Sequence, residues 1–264
     1  MIRYIAALMN VFYGYLGASI VAAVAWRLRA LSPSGAVAAV VVGGTIFAFG
    51  DLSATTILLA FFLSGSLLSR LNERHAGARD WKQVLANGLV PTLAIMLLAA
   101  RHDLRPEATL LFLGSLATAT ADTWATEFGK RFGTNVYDCL SWQPMTPGLS
   151  GGISLVGTLA SVAGATVIAA LSLVPYPNDV GLCGLVFVKP MLVVPTAGVC
   201  GALIDSIIGS ALQVKYKTSD GTIIEERRAD SEHLRGLRWL GNNATNLIST
   251  FIGGIVAVGI AEWF

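Results

Sequence analysis

Uncharged runs occupy residues 4–26, 30–50, 52–69, 83–100, 108–121, 148–174, 190–204 and 239–261 of this 264-residue chain. About 20 apolar residues cross the hydrocarbon layer of a bilayer, so most of these runs are long enough to span it alone. The two shorter runs reach that length once Asp122 and Asp205 are included. Only 13% of the residues are charged, against about a quarter in soluble domains. The expected fold is all-α: a polytopic membrane bundle of about eight helices in one domain covering residues 1–264. Residues 180–188 are read alternatively as an extramembrane or re-entrant piece.

The distribution of positive charge gives an orientation, because cytoplasmic loops retain Lys and Arg. Of 18 such residues, 14 fall in connections that alternate to one side: Arg27, Arg29, Arg70, Arg74, Arg79, Lys82, Lys130, Arg131, Lys215, Lys217, Arg227, Arg228, Arg235 and Arg238. Arg3, Arg101, Arg105 and Lys189 fall on the other. Eight crossings with both termini outside produce this segregation, whereas losing one helix would scramble it. Residues 1–26 lack a basic leader and a convincing cleavage site, so the first helix is expected to stay. Cys139, Cys183 and Cys200 show no paired metal-ligand spacing, and His75, His102 and His233 are scattered in polar loops. The longest polar segment, 214–238, is too short and charged to form a second core.

Asp122 and Asp205 are the informative exceptions to apolar runs, because a carboxylate near a bilayer centre is costly and marks a partner, a metal or a pathway. Counting about 1.5 Å per residue from the helix ends puts Asp122 about 9 Å and Asp205 about 12 Å inside the cytoplasmic boundary. A helix starting near Leu240 brings Asn242, Asn243 and Asn246 into the same layer. Gly201, Asp205, Gly209 and Gln213 recur every four residues and form one stripe. The structural alternatives are close helix packing, with Asp205 satisfied by Asn246 and Asp122 by Thr118 or Thr126. Glu127 lies off the Asp122 face of an ideal helix, so it either reaches the site through a bent helix end or caps the loop. Asn242, Asn246, Ser249 and Gly253 form a further stripe suited to ligand binding or to interhelical hydrogen bonds.

The run TPGLSGG, 146–152, precedes an apolar helix, where free N–H groups and the positive end of the dipole favour an anion. Gly148, Gly151 and Gly152 would let a phosphate approach the main chain, and Lys130 and Arg131 would neutralise its oxygens. A plain turn explains the glycines, and the positive-inside rule explains the two cations, equally well.

ADTWATEFG, PGLSGGISLVGTLAS, GALIDSIIGSALQ and NNATNLIST, preceded by LSPSGAVAAVVVGG and QVLANG, follow one another as in the family of transmembrane protein 19. The chain resembles that family over nearly its whole length, and the plant and cyanobacterial members include phytyl-phosphate kinase. The resemblance implies a CTP-dependent kinase that converts an isoprenyl monophosphate to its diphosphate. It carries the family's acidic motif to Asp122 and Glu127, its glycine loop to Gly148, Gly151 and Gly152, and its second acidic helix to Asp205. Many relatives have a Thr-Asn-Gly-Gly type loop where this chain reads PGLSGG, so side-chain roles at Leu149 and Ser150 do not transfer directly.

Phosphoryl transfer needs positioning and charge stabilisation more than a strong base, and a phosphate acceptor is already anionic. The expected metal ligands are Asp122, Glu127 and Asp205, holding Mg²⁺. The expected nucleotide contacts are Gly148, Ser150, Gly151, Gly152, Lys130, Arg131, Asn243, Asn246 and Asn87. Asn87 enters through an expected four-plus-four duplication with halves 1–105 and 106–264, in which WKQVLANG corresponds to RWLGNNATN. Partners are a nucleoside triphosphate, an isoprenyl phosphate and membrane lipids, without nucleic acid and with a homo-oligomer left open. The expected location is a prokaryotic plasma membrane or a thylakoid, with the site facing the cytoplasm. Competing readings are a prenyl-alcohol kinase, a lipid cytidylyltransferase, a lipid transporter or scramblase, and a noncatalytic assembly protein.

Overall fold

The computed structural model describes residues 2–72, 77–174 and 188–263, so the expected piece at 180–188 lies almost wholly outside the described residues, as do His75 and Cys183. Among the described residues seven α-helices carry the fold: α1 (Ile2–Arg27), α2 (Pro33–Asn72), α3 (Trp81–Ala100), α4 (Arg105–Phe132), α5 (Leu155–Ser172), α6 (Val188–Ala211) and α7 (Asn242–Ala261). Six of them, α1, α2, α3, α5, α6 and α7, are long and apolar enough to cross a membrane. Large apolar side chains such as Phe12, Ile20, Leu63, Leu67, Leu159 and Phe251 are exposed around the bundle. A water-soluble surface rarely leaves so much apolar area uncovered, whereas lipid covers it without cost.

The uncharged runs on either side of Asp51 form one 40-residue element, α2, interrupted where Asp51 adopts φ 57° and ψ −165°. A straight helix of that length would extend about 60 Å. Yet Ser32 N donates to Arg79 O at 3.0 Å and Arg79 N donates to Ala30 O at 3.1 Å, so the residues before and after α2 meet. The element therefore doubles back at Asp51. α1 packs on the first arm, where Gly14 and Gly44 give the close approach and Tyr15 Oη shares a 3.0 Å hydrogen bond with Thr45 Oγ1.

The central helix is α4, which packs against α2, α3, α5, α6 and α7. Every residue from Ala108 to Ala121 except Leu111 is buried. Because other helices shield it from lipid, α4 carries Thr109, Ser115, Thr118, Thr120 and Asp122, and its composition falls outside the membrane-crossing set. Its apolar positions Phe112, Leu113, Leu116 and Ala117 join Ile46, Ile57, Ile95, Ile168 and Val194 in one core. Thr118 is pinched between Gly201 of α6 and Gly253 of α7: an added Cβ would lie 2.3 Å and 1.9 Å, respectively, from its Oγ1.

The connections at one end of the bundle are structured. Asp80 caps α3, accepting from Gln83 N at 3.0 Å while Gln83 Oε1 accepts from Asp80 N. This reciprocal pair is a capping box. The 133–154 connection contains a short antiparallel pair, β1 (Tyr137–Asp138) with β2 (Gly152–Ile153). The 212–241 connection forms an antiparallel sheet ordered β4-β3-β5 from β3 (Lys215–Thr218), β4 (Ile223–Ile224) and β5 (Ser231–Arg235). The all-α expectation thus omits strands, which form where Asp220 and Gly221 turn β3 back on β4, with Gly221 at φ 88°.

Candidate functional site

A cavity of about 1060 Å³ opens at the end of the bundle that carries these structured connections. Its polar lining includes Asp122, Glu127, Lys130, Asp205, Asn242, Asn243 and Asn246, the 148–154 loop, and Asn87 of α3. Its apolar lining comes from α1 and both arms of α2, including Ala18, Val21, Phe47, Leu58, Phe61 and Phe62. Drug-sized ligand pockets usually occupy about 300–1,000 Å³, so this space is at the large end.

The acidic motif of α4 divides its labour. Asp122 faces the cavity, and its carboxylate makes no hydrogen bond among the described residues. Thr118 is not its partner, because Thr118 Oγ1 donates to Gly114 O at 2.9 Å within α4. Trp124 and Glu127 instead hold the second arm of α2. Trp124 Nε1 donates to Ser64 Oγ at 3.1 Å, while Glu127 accepts from Ser69 Oγ at 2.9 Å and from Asn72 Nδ2 at 2.6 Å. Glu127 lines the cavity with both carboxylate oxygens already engaged. Among the described residues no three of His, Cys, Asp and Glu converge to hold a metal, so Asp122, Glu127 and Asp205 do not form the expected three-carboxylate set. The reason is geometric: five residues along α4 turn Glu127 toward α2.

Asp205 of α6 is buried at the same cavity and lies within electrostatic reach of Asp122. Ser249 Oγ donates to its Oδ2 at 2.9 Å. Asn246, with its amide oriented to satisfy both neighbours, donates to Asn242 O at 3.0 Å and to Asp205 Oδ2 at 3.2 Å. The pairing of Asp205 with Asn246 is therefore present, and both contacts fall on one oxygen. Gly201 and Gly209 of the same stripe serve close approach: Gly201 to Thr118, and Gly209 to Ser150 and Gly151.

The glycine loop is not itself a helix N-terminus. α5 begins at Leu155, capped by Ser154, whose Oγ accepts from Gly157 N at 3.1 Å. Gly148 and Gly151 have φ of 91° and 93°, which ordinary side chains rarely adopt. An added Cβ at Gly151 would stand 2.7 Å from the Ser210 backbone, and one at Gly152 would stand 2.9 Å from Val136. Packing against α6 and the 133–154 connection therefore requires these glycines independently of any phosphate.

Ser150 is the hub of this loop. Its N–H donates to Glu225 Oε1 at 2.5 Å and its Oγ donates to Glu225 Oε2 at 2.9 Å. Gln213 Nε2 donates to the same Oγ at 2.9 Å, and the buried Lys215 Nζ donates to Ser150 O at 2.8 Å. Burial pushes the Lys215 pKa down, an effect that Arg235 reinforces and Glu225 opposes. Asp138 ties the loop to α6 by accepting from Ser210 Oγ at 2.7 Å and from Ser141 N at 2.9 Å. Burial acts to raise its pKa, but hydrogen bonds from Ser141, Ser210 and Leu140 outweigh it and hold the carboxyl at about 2.

Of the expected site residues, only Arg131 stands apart from the cavity lining. Its Nη1 donates to Leu71 O at 2.7 Å and its guanidinium lies over the Phe132 ring. Successive helical residues are separated by about 100°, so Lys130 faces the cavity while Arg131 turns to the end of α2. Sequence reasoning passed over Glu225, Gln213, Lys215 and Asp138 as contributors to the loop, and Arg79 as a lining residue. The Asp220–Gly221 pair was the one local signal that the 214–238 segment folds back.

No solved structure matches this chain. The chain is 25% identical to Protein PGR of Arabidopsis thaliana, across 95% of this chain and 97% of that one. It is 27% identical to an uncharacterized membrane protein of Methanocaldococcus jannaschii, across 95% and 94% of the two chains. It is also 25% identical to Protein VTE6, chloroplastic, of Arabidopsis thaliana, across 86% of this chain and 64% of that one. The family described as Integral membrane protein DUF92 matches residues 16–254, and the chain belongs to that family.

Proposed function

We propose that this protein transfers the γ-phosphoryl group of a nucleoside triphosphate, CTP foremost, to an isoprenyl monophosphate such as phytyl phosphate. The observation that carries this reading is the single cavity joining Asp122, Asp205 and four asparagines to an apolar wall on α1 and α2. A charged nucleotide and an apolar chain with a phosphate head need such a space in common. The resemblance to the phytyl-phosphate kinase family and the likeness to VTE6 support the choice of reaction.

In the reaction an acceptor phosphate oxygen attacks the γ-phosphorus, the bond from that phosphorus to the β-bridging oxygen breaks, and CDP leaves with the electron pair. Magnesium is commonly bound by one or two carboxylates plus phosphate oxygens and water, which suits the pair Asp122 and Asp205. Asp122 carries no hydrogen bond among the described residues, and both contacts to Asp205 fall on Oδ2, so oxygens remain for an ion. When bound, magnesium would neutralise charge on the transferring phosphoryl group. Asn242, Asn243, Asn246 and Asn87 would orient the nucleotide, and Lys130 would meet its phosphates. The prenyl chain would lie along α1, where a Cβ added at Gly17 meets nothing within 4 Å.

The charge segregation supports an orientation of this end toward the cytoplasm, the source of nucleotide, and the hairpin of α2 supports the reading of eight crossings. Asn87 lining one cavity with Asn246 supports the internal duplication. The test is to incubate purified protein with magnesium, labelled CTP or ATP, and a panel of prenyl monophosphates. The expected products are CDP and an isoprenyl diphosphate. Release of pyrophosphate would instead indicate cytidylyl transfer, and no turnover of any prenyl monophosphate would refute the kinase reading.

A further inference from the structure

Five cations line the cavity: Arg29, Arg70, Arg79, Lys82 and Lys130. Arg29 is exposed, Arg70 donates to Leu28 O, Lys82 lies over the Trp81 ring, and Lys130 faces Asp122. Arg79 differs from all of them. It is partly buried, and its guanidinium makes no hydrogen bond or ion pair among the described residues. Its carbon lies 5.8 Å from the centre of the Phe62 ring. The nearby Glu127 carboxylate is already held by Ser69 and Asn72.

The backbone of Arg79 is fixed from three directions. It exchanges hydrogen bonds with Ala30 and Ser32, it precedes the Asp80 cap of α3, and Gly35 packs against its carbonyl. Its Nη2 and the methyl of Thr123 stand 3.0 Å and 3.1 Å from one point above Gly65. The guanidinium therefore lies beside the residue that follows Asp122, next to Phe62 of the apolar wall. Burial lowers the Arg79 pKa and the charge of Glu127 opposes that shift, yet an arginine stays charged in either case.

We propose that Arg79 binds the phosphate monoester of the acceptor lipid, holding it between the apolar wall on α2 and the carboxylate of Asp122. This inference rests on the kinase reading above and assigns the acceptor subsite within it. A planar guanidinium presents paired donors that match two phosphate oxygens, which a lysine ammonium does not. The glycine loop and the asparagines of α7 lie on other elements, so the donor nucleotide has separate contacts.

The test compares full-length wild type, Arg79→Gln and Arg79→Lys, purified in detergent. Equilibrium binding of radiolabelled farnesyl monophosphate and of farnesol is measured without nucleotide, and KM for CTP and for the monophosphate is measured with it. Arg79→Gln is expected to weaken monophosphate binding about 10- to 100-fold, with farnesol binding and the KM for CTP within about twofold of wild type. Arg79→Lys is expected to fall between, since it keeps the charge without the fork. Unchanged monophosphate binding in Arg79→Gln, equal losses for farnesol and its phosphate, or a change confined to CTP would each overturn the assignment alone. Failure of the wild type to bind or phosphorylate any prenyl monophosphate of the panel, farnesyl monophosphate included, would overturn it together with the kinase reading.

Discussion

Replacing Gly253 with alanine tests how the two acidic helices are held in register. The new Cβ would meet Thr118 Oγ1 at 1.9 Å, about 1.5 Å short of ordinary contact at 3.4 Å. Thr118 is fully buried and is crowded from the other side by Gly201, so the strain falls on the spacing between α4 and α7. Overpacking costs about 1–3 kcal/mol, and an intrusion this deep falls in the upper part of that range, about 2–3 kcal/mol, offset by about 1 kcal/mol from the helix preference of alanine. The net loss of about 1–2 kcal/mol corresponds to a fall of roughly 2–8 °C in the unfolding midpoint of a chain of this size. Thermal unfolding of the purified protein in detergent measures it. Thr118→Ala removes Oγ1 and leaves its Cβ 3.0 Å from the new methyl, so the double variant should recover at least about 1 kcal/mol relative to additive losses. Because α7 carries Asn246 and Ser249, a displacement of about 1 Å should also lower turnover by about 100-fold. A Gly253→Ala protein as stable as wild type, or losses that add independently with Thr118→Ala, would show that this packing account is wrong.

Asp122→Asn should reduce turnover by at least about 100-fold, within the range that removing an electrostatic stabiliser produces. Its unfolding midpoint should stay near wild type, because no hydrogen bond among the described residues is lost; a proportionate fall in both would reassign the residue to packing. The clasp made by Asp138 should weaken under acid. Its folded carboxyl titrates at about 2 against an ordinary value of 3.8, so its stabilisation is complete above pH 3.8 and disappears as pH falls through about 2. Hydrogen exchange of the Ser141 and Leu140 amides across that window should show the loss in wild type and its absence in Asp138→Asn.

The helices were readable because lipid imposes a length and an apolar character on any crossing segment. The shared depth of Asp122, Asp205, Asn242, Asn243 and Asn246 followed from helical rise alone, and all five line one cavity. What depends on partners far along the chain was not readable. Glu127 shares a motif with Asp122, yet Ser69 and Asn72 decide where it points. The glycines of 148–152 resemble a phosphate loop locally, but Ser210 and Val136 dictate that residues 151 and 152 lack side chains. The start of α5 was legible in Ser154, a standard capping residue, and was obscured by the more conspicuous glycines before it. Arg79 looked like one more positive-inside residue because nothing near it in sequence reveals the Phe62 ring beneath it.

The carboxylate of Glu225 rests where the Ser150 amide would otherwise greet a free anion. Being tethered, it acts at an effective concentration on the order of millimolar. Any visiting anion that uses this amide must therefore win an exchange with a resident rival, which weakens its hold and hastens its departure. Under the kinase reading proposed above, such a built-in substitute would ease the departure of spent nucleotide before every cycle.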